Sequence, residues 1–186
     1  MDKSGSRKLK KKMDMTFAVI DLEGIIERTG GSSQRKETTC WIKKGSVITV
    51  NPLNNESEFY TFEIQMPPWE HMTNTCRRQW KYTHKIHKLK WDWPGEKYET
   101  VLHTVKDMIK GTRLFAKGTI LENRFINDLG MQGEHVVYKE VKHYGEIKVE
   151  NLTHYGCPKY PEVYHDPERE VSCFLGFIMS NLSIFL

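Results

Sequence analysis

The chain has 186 residues, 38% of them hydrophobic and 28% charged, a composition that suits one globular domain with a core of its own. No run reaches the roughly 18 apolar residues of a membrane span, and the opening residues are charged where a secretion signal needs an apolar core. These features argue against a membrane partner and predict a cytoplasmic or nuclear protein whose four cysteines are not a disulfide framework.

The formal charge of +4 is unevenly spread. Lys3, Arg7, Lys8, Lys10, Lys11 and Lys12 against Asp2 give residues 1–12 a net charge of +5 and leave the remainder at −1. A Lys/Ser/Gly mixture buries too little apolar surface to order itself, so residues 1–14 are expected to form a disordered basic arm and residues 15–186 a single domain. Thr16 to Leu22 (TFAVIDL) is a nearly continuous apolar run suited to a buried strand, broken by Gly24. Residues 27–37 have loop composition, Cys40 to Ile42 and Ser46 to Val50 read as short strands, and Phe59 to Gln65 alternates as a third. Residues 66–95, with Pro67, Pro68, Pro94 and Gly95, read as irregular. Tyr98, Val101, Leu102, Val105, Met108 and Ile109 then fall on one helical face closed by Gly111. Arg113 to Ala116 is a short strand, and Ile120, Leu121, Phe125, Ile126 and Leu129 mark a second helix ended by Gly130. Ile147 to Leu152 is expected as a strand, and Asp166-Pro167 as the start of a last helix with Val171, Phe174, Phe177, Ile178 and Leu182 on its apolar face. The order predicts an α/β fold: an antiparallel meander of three strands, then parallel strands, with helices on both faces of a mixed sheet.

Three groups of residues could carry chemistry. Asp21 and Glu23, two apart in an extended segment, point to one side and could jointly hold Mg²⁺ or Mn²⁺; the plainer alternative is two solvated carboxylates beside a turn. Residues 77–93 (RRQWKYTHKIHKLKWDW) interleave Arg77, Arg78, Lys81, Lys85, Lys88 and Lys90 with Trp80, Tyr82, Trp91 and Trp93. Cations neutralise phosphates and aromatic faces stack on bases, which predicts a single-stranded nucleic acid partner; RNA is expected before DNA. Its alternative is a basic loop whose tryptophans anchor it to the core. Cys157, His165 and Cys173, spaced C-x7-H-x7-C, offer thiolate and imidazole donors suited to Zn²⁺. Against that, Cys173 reads equally as a small core residue of the last helix.

Taken in order, FAVIDLEG, YTHKIHKL, LFAKGTILENRFI, IKVENL and the His165–Glu170 pair resemble the motifs of the DEDD exonucleases in their histidine subclass, over about residues 16–180. The resemblance implies an RNase H-like fold and a metal-dependent 3′–5′ exonuclease. Asp21, Glu23, Glu122 and Glu170 would bind two metal ions, and His165 would take the proton of the attacking water. Lys117-Gly118 stands where the family has a His-Asn turn, and Glu stands for Asp at 122 and 170. An extra methylene displaces a ligand from a two-metal centre that needs ions about 3.5–4 Å apart, so the resemblance implies a weakened or inactive nuclease. Lys117, beside the second motif, joins the basic residues expected to meet phosphate. The Cys157–His165–Cys173 set and Thr83-His84-Lys85-Ile86 are also similar to the Maelstrom domain. That likeness implies a noncatalytic, zinc-stabilised domain binding RNA or protein partners. His165 is claimed by both readings.

Overall fold

The structure, a computed structural model, describes residues 16–29, 37–54, 56–116, 120–131 and 166–180. Strand β1 (Phe17–Thr29) pairs antiparallel with β2 (Glu37–Asn51), and β2 pairs antiparallel with β3 (Glu56–Glu63). Strand β4 (Arg113–Ala116) lies on the other side of β1 and runs parallel to it. The result is a four-stranded mixed sheet of order β3-β2-β1-β4, as the meander followed by a parallel strand predicts.

Two strands are longer than their local composition suggests. Cys40–Ile42 and Ser46–Val50 are parts of one strand, and β1 runs through the expected loop residues 27–29. Pairing on both sides, with Lys44 between Glu23 and Glu63 and Gly45 between Leu22 and Phe62, outweighs the poor strand propensity of Lys43, Lys44 and Gly45. The join is a bulge: Glu23 pairs with Lys44 but Gly24 pairs with Ile42, which leaves Lys43 extra. A side chain at Gly24 would lie 2.0 Å from the Trp41 carbonyl oxygen, so this crossing of β1 and β2 requires glycine.

Helix α1 (Asn74–His87) corrects the reading of residues 66–95 as irregular. Thr73 caps its start, with Oγ1 accepting from Cys76 N at 3.0 Å, and Cys76, Trp80 and Thr83 recur at helical spacing on its buried side. Helices α2 (Tyr98–Met108), α3 (Ile120–Asp128) and α4 (Pro167–Ser180) fall where the apolar periodicity places them. Gly111 and Gly130 follow α2 and α3 with φ of 75° and 71°, the left-handed conformation that ends a helix cheaply at glycine.

Side chains alternate across β1 and meet different helices. Ala18, Ile20 and Leu22 pack with Val101, Val105 and Ile109 after and along α2, and with Phe125 and Ile126 of α3. On the opposite face, Phe17 and Val19 pack with Val171, Phe174 and Ile178 of α4, whereas Ile25 packs with Cys76 and Trp80 of α1. Asp21 and Glu23 lie on that second face, between the part covered by α4 and the part covered by α1. No helix of the described residues is long and apolar enough to cross a membrane. The expected strand at 147–152, the basic arm and the tail after Ser180 lie outside the described residues.

Candidate metal and nucleic-acid site

Among the described residues, strand β4 pairs with Phe17 to Ile20 of β1, and Asp21 follows directly on that stretch of the parallel ladder. In α/β sheets the crevice past the carboxyl ends of parallel strands is where ligands bind. Sequence reading put Asp21 and Glu23 at the end of the strand; they stand in its middle, because pairing with β2 continues to Thr29. Glu170, in the first turn of α4, comes to the same place. One carboxylate oxygen each from Asp21, Glu23 and Glu170 lies within 4.8 Å of the other two. Asp21 and Glu170 are buried and Glu23 is half-buried. Three converging carboxylates are the donor set of a hard divalent cation, and they repel one another without one. Glu122 is buried on α3, but its carboxylate is not part of this group of three.

Two basic side chains border the acids. His87, the last residue of α1, sets Nδ1 3.0 Å from Glu23 Oε2. Lys44, the cross-strand partner of Glu23, places Nζ 3.1 Å from Asp166 Oδ1. Asp166 in turn caps α4, its Oδ1 accepting from Glu168 N at 3.2 Å. The sequence reading missed His87 and Lys44. The signal for His87 was its place four residues after Thr83 on the inward stripe of α1, visible only once that segment is recognised as a helix.

Helix α1 is pinned at both ends by acids of β1. His87 meets Glu23 at its last turn, and buried Glu27 accepts from Thr73 Oγ1 at its cap and from Trp41 Nε1 at 3.3 Å. Glu27 also raises the Cys76 thiol, after the larger effect of burial, to about 11. Burial likewise pushes the Cys40 thiol up. Neither thiol is poised as a nucleophile at neutral pH.

The basic segment divides into two parts. Trp80 and Trp91 are 5% and 8% exposed and pack edge to face at 5.0 Å in the cluster under α1, so they are anchors and not the base-stacking platforms expected. The cause is the helix itself, which turns Trp80 inward with Cys76. Arg78, Lys81, Lys85, Lys88 and Lys90 are exposed. Arg77 is half-buried, donating from Nη2 to Glu70 O at 2.9 Å. Lys88 adopts φ 57° and closes α1 through its N–H to His84 O. The exposed aromatic of this helix is Tyr82, at 60%. With Thr75, Arg78, Gln79 and Thr83 it lines a cleft of about 450 Å³ whose floor is Gly24, Ile25 and Ile26, directly after Glu23.

The zinc set is not gathered within the described residues. Cys173 is buried on α4 in the apolar cluster with Phe17, Val19 and Phe115, while Cys157 and His165 lie outside the described residues, as does Lys117.

No family model matches the chain, and no curated protein does. Solved structures do. A full-length 3′-exonuclease aligns at TM-score 0.56 and 13% identity over 90% of this chain and 81% of its own. The 3′-exonuclease in a structure of 3′-end-specific recognition of the histone mRNA stem-loop aligns at 0.57 and 13%, with the same coverage. The nuclease domain of 3′hExo, a DEDDh family member bound to rAMP, aligns at 0.57 and 13% over 90% of this chain and 92% of its own. The fold is RNase H-like. At this identity the likeness establishes the fold, and the site must be argued from its own residues.

Proposed function

We propose that the chain is a nucleic-acid-processing domain of the 3′–5′ exonuclease type that uses a divalent metal ion and acts on single-stranded RNA or DNA, RNA before DNA. The observation that carries this reading is the convergence of Asp21 and Glu23 from β1 with Glu170 from α4, directly after the β1 residues that pair with β4. Glu170 lies about 150 residues along the chain from Asp21 and Glu23, and the fold brings it to them. The similar structures support the reading, since one is bound to rAMP and another recognises an mRNA stem-loop.

Asp21, Glu23 and Glu170 would hold the ion, Mg²⁺ or Mn²⁺, and their donor chemistry fits it. A bound ion would polarise a phosphodiester and stabilise the charge that develops on its oxygens. Glu122, buried on α3, is not gathered with these three, and the reading does not rest on it. His165, directly before the α4 cap Asp166, accepts the proton of the attacking water. The cleft of Gly24–Ile26 and α1 seats the terminal nucleotide, with Tyr82 against a base and Arg78, Lys81 and Lys85 along the phosphates.

The test is incubation of 3′- and 5′-labelled single strands with the metal-stripped protein, with and without added Mg²⁺ or Mn²⁺. Metal-dependent shortening from the 3′ end is expected. Glu23→Gln and Glu170→Gln should each reduce it at least about 1,000-fold while leaving the fold intact, since each removes a donor that positions the reacting centre. Shortening that survives both substitutions, or none with wild type under any divalent ion, rejects the catalytic reading.

A further inference from the structure

Strand β2 outruns its outer neighbour. Residues 37–42 pair with β1 on one edge, but β3 pairs with residues 44–51, so among the described residues no strand covers the other edge of 37–42. The two strands part at Lys43. Ile64 donates its N–H to Lys43 O at 2.7 Å, and the chain then leaves β2 to bridge with Glu96. A cleft of about 370 Å³ opens in the fork, with residues 38–42 as one wall and residues 64–67 as the other. A cavity over one face of a strand meets every second residue. This one meets five in succession: Cys40 and Ile42, which face α2 and α3, and also Trp41, which faces the cluster under α1. It therefore runs along the edge of β2, and since β1 holds the inner edge, it runs along the free one.

The far wall is tied back from that edge. Lys43, fully buried, donates from Nζ to Ile64 O at 3.1 Å and to Trp93 O at 2.7 Å, and Trp91 Nε1 donates to Pro67 O at 2.6 Å. These bonds anchor residues 64–67 to the loop after α1, so the groove is already open. One end of it is polar. Asp128 accepts from Tyr98 OH at 2.8 Å and from Arg124 Nε at 3.0 Å. Arg124 is thereby held by one nitrogen, and its two Nη groups have no hydrogen-bond partner among the described residues. Such a fork suits a carboxylate.

We infer that this groove docks an extended peptide of another protein, which adds a strand to the free edge of β2, sets an apolar side chain against Ile42, Ile64 and Met66, and offers Arg124 the carboxylate of an acidic residue. Three observations fix the occupant. A row of unpaired backbone N–H and C=O groups is matched along its length by another extended backbone. The apolar lining gives such a strand a pocket for one side chain. Arg124 at the polar end complements an acid. The polar end comes from α2 and α3, on the face of the sheet opposite Asp21 and Glu23, so docking is independent of the metal-site reading.

The test uses the full chain and a phage library of random seven-residue peptides; the tightest selected peptide, made synthetically, is the probe. Selected peptides should share an apolar residue close to an acidic one. Hydrogen exchange reads the edge: the probe should slow exchange of amides within residues 38–42 at least about 10-fold. N-methylation of alternate amides of the probe should weaken binding at least about 10-fold, since the strand pairs through its backbone. Arg124→Gln, at a side chain 60% exposed, should weaken it by about 10-fold. Thr38→Trp, which fills the groove from an exposed position, should abolish it. Both variants lie outside the core, so their folding is not at stake. A selection that yields no binder sensitive to Thr38→Trp overturns the inference, as does a probe that tolerates N-methylation or leaves residues 38–42 unprotected. Slow exchange at residues 38–42 in the free chain overturns it too: independent of concentration, it means that the chain covers its own edge, and rising with concentration, that a second copy does.

Discussion

The two faces of β1 solve different problems with one strand. The face that carries Ala18, Ile20 and Leu22 is covered without interruption by α2 and α3, and its neighbours are apolar. The face that carries Phe17, Val19, Asp21, Glu23, Ile25 and Glu27 is shared by α4 and α1, with carboxylates in the interval between them. A strand with one sealed face can present charge on the other, because the sealed face supplies the rigidity that fixes where those charges point. The division of labour makes a simple forecast: substitutions on the sealed face should act on stability, and substitutions in the gap should act on binding or run against stability.

The largest effects are expected under the helices. Phe125 is fully buried, stacked on Phe62 at 5.9 Å and edge to face with Tyr98 at 6.0 Å. Phe125→Ala should cost about 3–5 kcal/mol by chemical denaturation, from lost transfer energy and the cavity left behind. Trp80→Ala should cost a similar amount, about 3–5 kcal/mol, because it empties the centre of the α1 anchor. A Trp80→Ala protein that unfolds like wild type but binds nucleic acid weakly would reverse this, and would return Trp80 to the role of a base-stacking residue.

Trp80 also shows where the sequence stopped being legible. Helices α2, α3 and α4 were readable because their apolar residues repeat at helical spacing over two or more turns and end at Gly111, at Gly130 or begin at Asp166-Pro167. Helix α1 was not, since its inward stripe of Cys76, Trp80, Thr83 and His87 is narrow and half polar, and the lysines and arginines between obscure it. The flanking prolines gave the segment the look of a loop. The same blindness hid His87, whose direction follows from the helix and from nothing local. Asp21 and Glu23 were legible from their i, i+2 spacing and the strand around them. That Glu170 joins them and Glu122 does not is a property of how α3 and α4 dock, which depends on contacts some 150 residues apart along the chain and lies beyond any local pattern.

A middle-sized effect is expected at Tyr82. Its ring is the exposed aromatic of the cleft beside Glu23, and its removal takes nothing from the core. Tyr82→Ala should weaken single-strand binding by about 1–3 kcal/mol, the value of one stacked base, and shift unfolding by no more than about 0.5 kcal/mol. Lys85→Ala, on the same exposed side of α1, should lower the slope of log affinity against log salt by nearly one unit. Loss of binding in Tyr82→Ala with no change in salt slope, and the reverse in Lys85→Ala, would separate base stacking from phosphate contact; identical behaviour of both would place the nucleic acid elsewhere.

The smallest expected effect has the most informative sign. Two unit negative charges 4.8 Å apart at an effective dielectric constant near 20 repel by about 3 kcal/mol, and the carboxylate oxygens of Asp21, Glu23 and Glu170 lie within that distance of one another. Lys44 beside Asp166, and His87 beside Glu23 when it is protonated, offset part of this repulsion. Asp21→Asn keeps the shape of the side chain, exchanges one acceptor oxygen for a donor NH2, and removes one of the three charges. In chelator it should therefore raise stability, by about 1 kcal/mol after the offset. With saturating Mn²⁺ the order should invert, because wild type gains stability from bound ion in proportion to the logarithm of its concentration and the variant does not. Buried acids that serve only to hold the fold together would behave the other way: Glu27, tied to Thr73 and Trp41, should lose stability on Glu27→Gln whether or not metal is present. Thermal unfolding of the two variants, each with chelator and with Mn²⁺, makes the distinction on one strand face. A destabilised Asp21→Asn in chelator, with no crossing in Mn²⁺, would show that this carboxylate is structural like Glu27, and that the gap between α1 and α4 was not built to hold an ion.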